Sequence, residues 1–447
     1  MPHVIFIFPS IGRYPGMKYV RSWQMQPLGI AVLSALTPES WTRSFYDDRL
    51  EEIDYSEAAD LVAVSIETYT ARRGYQIAEE YKKKGIPVII GGFHATACPD
   101  EVLEYADSVC VGEAEGVWDE ILSDAEKGML KKKYVSQSPK HLQAPLPDRS
   151  IFQDKRYFKI AMVESGRGCG FHCSFCSISS FYGSSYRRRN TRDIINEIKA
   201  IPDQTIFFID DNIIGNIKSA KELFCELIPL KISWISQASV NAADDPSLLS
   251  LMKQSGCIGL LIGFESLDSE NLHSMNKEVN RKSDFTQALA RIRNAGLLVY
   301  GTFIFGYGGD TEEMMKQTVS FAVKEKIYIA AFAHLVPFPG TPLYRSLEES
   351  GRLLKKKWWL DPDYRFGQVV FHPEIMLPEK LEHLCQEARK LFYSLPSIFK
   401  RILEFRSNAS SLKKIVFYFS LNLMLKREVK EKKGIPLGLI REEAEKL

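Results

Sequence analysis

Short, continuous apolar runs alternate with longer amphipathic stretches in two separate blocks, and this rhythm constrains the fold more than any other feature. In the first block, Val4–Phe8, Leu61–Ile66, Ile86–Ile90 and Ser108–Val111 read as buried parallel strands, with Arg43–Tyr46 a shorter one. Pro27–Leu36, Arg73–Lys84 and Val117–Ala125 read as the helices between them. Strands that each hand over to a helix imply a doubly wound parallel sheet, so residues 1–125 are expected to form a Rossmann-like α/β domain. Residues 126–156 are basic and then proline-bearing (Pro139, Pro145, Pro147), without an apolar period, and read as a linker. The second block, 157–345, offers strands at Lys159–Val163, Thr205–Ile209, Ser233–Ala238, Gly259–Ile262, Leu297–Phe305 and Tyr328–Leu335. Helices fit between them at Thr191–Ala200, Ser219–Leu230, Pro246–Gln254, Arg281–Ala295 and Thr311–Glu325. Six such units fit a partial, TIM-like (β/α)6 barrel better than an open sheet. Residues 346–447 turn mainly helical. In both α/β blocks, ligands are expected beyond the carboxyl ends of the strands.

The 447 residues are 45% hydrophobic and 26% charged, an ordinary globular mixture, and the net charge of +2 gives no reason to expect a nucleic-acid partner. The opening MPHVIFIFPSIGRYPG lacks the basic head and cleavage site of a secretory signal. No uninterrupted apolar stretch of about 18 residues is present. A cytoplasmic, reducing location is therefore expected, and there the crowding of three of the eight cysteines reads as metal binding sooner than as disulfides.

Those three lie in Gly166-Arg167-Gly168-Cys169-Gly170-Phe171-His172-Cys173-Ser174-Phe175-Cys176, directly after a strand. Thiolates are soft ligands suited to iron–sulfur clusters. Three on one tight loop can take three corners of a [4Fe–4S] cubane and leave one iron open for a chelating ligand. A zinc site is the competing assignment, but structural zinc takes four ligands. Cys98, Cys110, Cys225, Cys257 and Cys385 are scattered, and His172 falls between two of the ligands.

The C-x3-C-x2-C spacing, with Phe175 before the last cysteine, resembles the radical S-adenosylmethionine (radical SAM) superfamily. The resemblance implies that the open iron holds the amino and carboxylate groups of S-adenosylmethionine, whose one-electron cleavage yields a 5′-deoxyadenosyl radical. It also implies a one-electron donor such as flavodoxin or ferredoxin as partner. Four strand ends fit that family's cofactor pocket. Asp210-Asp211 follows the second strand, although the usual Gly-Gly-Glu is absent. Gln237 ends the third, and Ile262-Gly263-Phe264-Glu265-Ser266 ends the fourth. Phe175, Asp210, Asp211, Gln237 and Glu265 are thus the expected SAM-binding residues.

In the first domain no G-x-G-x-x-G is present, so a dinucleotide is not indicated. A doubly wound domain ahead of a radical SAM core resembles the cobalamin-binding radical SAM subfamily. The shared segments are Gln26-Pro27-Leu28-Gly29-Ile30, Gly91-Gly92-Phe93-His94-Ala95-Thr96 and Gly112-Glu113-Ala114-Glu115. Gln26, Pro27, Gly29, Gly91, Gly92, Phe93, His94, Gly112 and Glu113 are accordingly expected at the cobalamin, together with Ser65 and Glu67 at the end of another strand. The D-x-H-x-x-G motif that brings a histidine to cobalt elsewhere is missing: the matching region reads Phe45-Tyr46-Asp47-Asp48-Arg49-Leu50. His94 is expected to line the ligand cavity or cap the following turn.

In the carboxyl-terminal region, Trp358-Trp359, Tyr364-Arg365-Phe366 and His372-Pro373 suit either a wall over the barrel's open side or the packing of a helical cap. Residues 401–433 hold nine Lys or Arg against three Glu around IVFYFSLNLML, suiting either a peripheral membrane contact or a core helix with a solvated basic face. The expected activity is cobalamin-dependent methylation of an unactivated carbon on a small-molecule, lipid or natural-product substrate. The alternatives are oxidative cyclisation or rearrangement with the same cofactors, and a non-enzymatic redox or cobalamin sensor.

Overall fold

The computed structural model describes residues 1–13, 19–136, 142, 144–202 and 205–439. Pro139 of the expected linker lies outside them. Two parallel sheets dominate. The first holds β1 (His3–Phe8), β2 (Thr42–Asp47), β3 (Leu61–Ser65), β4 (Val88–Gly91), β5 (Ser108–Val111) and β6 (Lys133–Val135), in the order β2-β1-β3-β4-β5-β6. Val4, Phe6, Ala63 and Ile89 pack on one face against Ile30, Trp118 and Ile121. Ile5, Ile7, Val62, Val64 and Ile90 pack on the other against Tyr75, Ile77 and Val102. Successive side chains of a strand point to opposite faces, so these uniformly apolar strands require helices on both sides. The strand order reverses between β1 and β3, where such sheets open a crevice for a ligand.

The linker expectation needs correction. Residues Lys133–Val135 pair in parallel with β5 as an edge strand. Only Tyr134 of the three is buried, which is why the segment carries no apolar period.

The second sheet holds β7 (Ala161–Val163), β10 (Thr205–Phe208), β11 (Ser233–Gln237), β12 (Cys257–Glu265), β13 (Leu298–Phe305) and β14 (Ile329–His334) in sequential order, with β7 and β14 at its two edges. This is the expected open six-stranded barrel. Between β7 and β10 a short hairpin, β8 (Gly166–Arg167) with β9 (Arg187–Arg188), brackets the cysteine loop. Helix-facing residues such as Phe208, Trp234, Ile262, Phe264, Phe303 and Phe332 are fully buried. Their alternates, among them Gln237, Gly263, Tyr300, Thr302, Ala331 and Ala333, are only half-buried. A closed eight-stranded barrel fills its interior with side chains; here the small residues and the incomplete closure leave that interior accessible.

The aromatic segment after the barrel neither walls off the barrel nor stays within a local cap. Trp358, Trp359 and Tyr364 are buried in the same cluster as Val64, Tyr75 and Ile90 of the first domain. Trp359 Nε1 donates to Glu101 at 2.9 Å and Trp358 Nε1 to the Pro337 carbonyl at 3.2 Å. The basic stretch forms the helix Leu412–Glu431, which buries Tyr418, Asn422 and Glu428 and exposes Val416, Phe417 and Leu423. No helix among the described residues is long and apolar enough to cross a membrane.

Candidate functional site

The cysteine loop leaves β8 and ends in the helix Ser177–Tyr182. The expected acidic pair anchors it from beneath. Asp210 accepts from the Ser165 amide (2.7 Å) and hydroxyl (2.6 Å), and Asp211 accepts from the Gly168 amide (2.9 Å). Burial pushes the Asp210 carboxyl up to about 7, against the pull of Ser165, and the Asp211 carboxyl up to about 6. Gly168 has φ +84, and a Cβ there would stand 2.1 Å from the Ser185 carbonyl oxygen, so only glycine fits this turn. At the loop's far end the Ser174 amide donates to the Met275 carbonyl (3.0 Å), and its hydroxyl meets Tyr307 Oη (2.7 Å).

The loop carries the Cys169, Cys173 and Cys176 thiols within electrostatic reach of one another. Burial pushes the Cys173 thiol up to about 11 and the Cys169 thiol in the same direction, so binding a metal there displaces protons. Among the described residues no three His, Cys, Asp or Glu side chains converge as ligands of one metal ion. His172 is exposed, its ring engaged with Ser184 and its carbonyl with Asn276, so it does not complete a zinc tetrad.

β12 delivers the next group. Glu265 has φ 64, a left-handed conformation rare outside glycine, at a register shift between Gly263 and Glu265. A Cβ on Gly263 would lie 2.1 Å from Glu265 Oε1. The glycine therefore makes room for the folded-back glutamate, which is the physical content of the Gly-Phe-Glu motif. Asn280 fixes the bend by donating to the Gly263 (2.7 Å) and Phe264 (2.8 Å) carbonyls.

Glu265 pairs with Lys277 at 3.1 Å, and Lys277 Nζ stands 6.0 Å from the centroid of the Phe175 ring, beside Cys173 and Cys176. Burial opposes its charge, but the Glu265 carboxylate outweighs this and holds the ammonium above the usual lysine range. Sequence reasoning missed Lys277, Asn280 and Ser165. Lys277 and Asn280 sit on or beside the short helix Glu278–Arg281, well past the strand end that served as signal. Gln237 ends β11 on the half-buried face, and its carbonyl accepts from the Ile213 amide at 3.0 Å.

The first domain brings a cavity of about 310 Å³ to the same place. Of the expected residues, Gly29, Ser65, Gly91, Gly92, Phe93, Gly112 and Glu113 line it, joined by Glu164, Arg167, Phe181 and Tyr182 from around the cysteine loop. Gln26, Pro27, Glu67 and His94 are not among its lining residues. Pro27 caps the helix Leu28–Leu36, Gln26 accepts from Arg149 (3.4 Å), and Glu67 lies within electrostatic reach of Arg49. His94 is buried instead against Thr68 (3.3 Å) and Glu101 (3.1 Å). Gly92 takes φ +105, where a Cβ would meet the Ile66 carbonyl oxygen at 2.4 Å.

Two contacts join the domains at this cavity. Phe93 packs on Phe181 (ring centroids 4.4 Å apart) and Tyr182 (5.9 Å). Arg167, next to the cysteine loop, pairs with Glu113 (2.5 Å), Glu115 (2.6 Å) and Glu164 (2.8 Å), while Arg187 pairs with the second Glu113 oxygen at 2.7 Å.

A parallel-sheet domain thus lies over the mouth of an open barrel, with its ligand cavity and the three cysteines at the join. Residues 163–322 match the radical SAM superfamily and residues 22–122 the B12 binding domain. The chain is 30% identical over 390 residues to the bacteriochlorophyllide d C-12(1)-methyltransferase of Chlorobaculum tepidum, covering 84% of each. It is 27% identical over 358 residues to the hopanoid C-2 methylase of Rhodopseudomonas palustris, covering 76% of this chain and 67% of that one. The cobalamin-dependent S-adenosylmethionine radical enzyme OxsB, solved with aqua-cobalamin and S-adenosylmethionine, superposes with a TM-score of 0.66 at 15% identity over 96% of this chain and 72% of its own. The chain belongs to the cobalamin-binding radical SAM family.

It is an enzyme that uses a [4Fe–4S] cluster, S-adenosylmethionine and cobalamin, and its residues fit all three. The three thiols share one loop and the other free cysteines sit on other elements. Lys277 and Glu265 present the cation and carboxylate that an amino acid's two charged groups require. Gly29 lines the cavity with nothing within 4 Å of where a Cβ would stand, a cradle that a larger residue would fill.

Proposed function

We propose that the chain methylates an unactivated carbon of a bulky, largely apolar small molecule held in the barrel interior. The single observation that carries this is the shared wall: Phe93, Arg167, Phe181 and Tyr182 belong at once to the first-domain cavity and to the surroundings of the cysteine loop. When bound, S-adenosylmethionine on the cluster supplies a hydrogen-abstracting radical, and cobalamin supplies the methyl group. Cys169, Cys173 and Cys176 hold the cluster. Lys277 would pair with the α-carboxylate of S-adenosylmethionine and Glu265 would accept from its iron-bound amino group, while Phe175 lies under Lys277. Asp210 and Asp211 position the loop through Ser165 and Gly168. Gln237 faces the bound cofactor from β11. Gly29, Ser65, Gly91, Gly92, Phe93, Gly112 and Glu113 receive cobalamin, with Gln26, Pro27 and Glu67 at its margin and His94 bracing the turn behind it.

The half-buried interior residues Ala331, Ala333, Ile304 and Leu261 suit an apolar ring system, and the relatives named for tetrapyrrole and hopanoid methylation support that class. A one-electron donor such as flavodoxin or ferredoxin serves as partner. Peripheral membrane contact through 401–433, with nine Lys or Arg against three Glu, belongs to the same reading.

The test is anaerobic reconstitution with iron, sulfide and cobalamin, followed by reduction with S-adenosylmethionine and bacteriochlorophyllide d or a hopanoid. The expected result is 5′-deoxyadenosine together with a product one methyl group heavier. A product lighter by hydrogens would replace methyl transfer with cyclisation. No 5′-deoxyadenosine from a cluster-loaded, reduced protein would leave the sensor reading.

A further inference from the structure

Large apolar side chains are exposed singly over most of the surface, as is ordinary, but not at the carboxyl-terminal end. Leu391, Leu395, Phe399 and Leu403 recur every fourth residue across the ends of the helices Pro378–Phe392 and Leu395–Ile402, and all four are exposed. Leu395 and Phe399, four apart, share one face of the second helix, while Leu391 lies at the end of the first and Leu403 just past the second. The following turn presents Phe405, 70% exposed. On the helix Leu412–Glu431, Leu412 (77% exposed), Val416 (60%) and Leu423 (41%) continue along one face. Phe399 and Phe419, with ring centroids 5.5 Å apart and planes tilted by 56°, join the two helices.

The charges around this ridge are one-sided. Lys400 and Lys413 flank it, and Lys426 and Lys430 extend the Leu412–Leu423 face toward the carboxyl end. No ion pair joins these four to a carboxylate among the described residues. Two of the region's three glutamates turn away. Glu428 is buried, accepting from Ser22 and pairing with Lys432 (2.9 Å), and Glu404 faces Arg293 at 3.8 Å. The ridge is also firmly mounted. Arg401, fully buried, donates to the Ile327 (3.1 Å) and Tyr328 (2.8 Å) carbonyls, to Phe392 O (3.1 Å) and to Asn422 Oδ1 (2.9 Å). Both helices are thereby fixed to the amino-terminal end of β14, opposite the strand ends that carry the cysteine loop.

We infer that this ridge seats the enzyme on a bilayer carrying anionic headgroups, with Leu395, Phe399, Leu403, Leu412 and Val416 entering the acyl boundary and Lys400, Lys413, Lys426 and Lys430 meeting the phosphates. The inference deepens the peripheral-contact reading proposed above and rests on it. Convex apolar helices with cations beside them, with two of the region's three acids turned inward and Glu431 exposed at the helix end, match an interfacial surface. Because Arg401 fixes the ridge to the barrel's amino-terminal end, docking anchors the molecule and leaves the cofactor mouth facing away from the membrane.

The test uses holoenzyme carrying cluster and cobalamin, floated with phosphatidylcholine vesicles with and without phosphatidylglycerol, so it needs no substrate and no turnover. The expected result is flotation with the anionic vesicles that weakens as salt is raised. Phe399→Glu/Val416→Glu and, separately, Lys400→Glu/Lys413→Glu should each cut partitioning by ~10-fold or more while iron and cobalt contents stay unchanged. Wild-type protein that stays down, or that floats equally with neutral vesicles, overturns the inference. So does a concentration-dependent dimer that Phe399→Glu/Val416→Glu splits into monomers, which would make the ridge an interface between copies of this chain. None of these outcomes bears on methyl transfer, which product mass decides separately.

Discussion

Gly263 and Glu265 show how one missing methyl group sets up a charge. With a Cβ at 263 the carboxylate of Glu265 loses its place, and Lys277 loses its partner at 3.1 Å. Gly263→Ala is expected to leave cluster loading intact and to weaken S-adenosylmethionine binding. Lys277→Met should do the same by removing the cation, with an affinity loss of about 10–100-fold, the equivalent of one charge-assisted hydrogen bond. The check is the shift of the reduced cluster's electron paramagnetic resonance signal on titration with S-adenosylmethionine. A titration that saturates as in the wild type would remove Lys277 from the site. Sequence alone reaches Glu265 because its motif ends a strand, and reaches the three cysteines because they are contiguous. It does not reach Lys277, Asn280 or Ser165, whose meaning depends on a bend and a hairpin with no spacing of their own. It also leaves His94 either lining the cavity or capping the following turn, whereas the fold buries its ring against Thr68 and Glu101.

Glu101 ties together elements that the sequence left separate. Tyr75 (2.9 Å), His94 (3.1 Å) and Trp359 (2.9 Å) all meet its Oε1, and Lys357 approaches Oε2 at 3.3 Å. Burial alone would raise this carboxyl, but the hydrogen bonds from His94, Trp359 and Tyr75 and the charge of His94 hold it at about 2. A carboxyl depressed in the folded state stabilises above its unfolded pKa, and that stabilisation fades as the pH falls toward the folded value. The seating of the Trp358–Trp359 segment on the first domain should therefore weaken from the ordinary carboxylate range down toward pH 2, seen as a change in tryptophan emission. Glu101→Gln should shift that transition to higher pH or remove it. An unchanged acid transition in Glu101→Gln would show that another carboxylate governs the contact. The helices and strands of both sheets were legible because apolar periodicity marks them. Lys133–Val135 was not, because an edge strand with one buried side chain has no period to read. The two tryptophans were visible as a pair, but their destination more than 250 positions away follows only from the packed fold.

The whole molecule depends on two domains meeting at the cysteine loop, and Arg167 is where their charges are balanced. Its guanidinium meets Glu113 and Glu115 from the first domain and Glu164 from the second, all at 2.8 Å or less. Removing one partner of a buried ion pair leaves the others uncompensated, at a cost of about 3–5 kcal/mol. Arg167→Met should accordingly lower the unfolding free energy, measured by denaturant titration, by an amount in that range. It should also loosen cobalamin, because Glu113 and Arg167 both line the cavity. Arg187 still reaches the second oxygen of Glu113, so the loss should be smaller than for Glu113→Ala, which strips both arginines at once. The double variant Arg167→Met/Glu115→Gln, with one acid fewer left unpaired, should regain part of the stability lost by Arg167→Met alone. Such non-additivity is the mark of a direct coupling. If the two changes instead sum independently, the domains are held by Phe93 on Phe181 and by the Trp358–Trp359 segment, and the charges at the join serve the ligand alone.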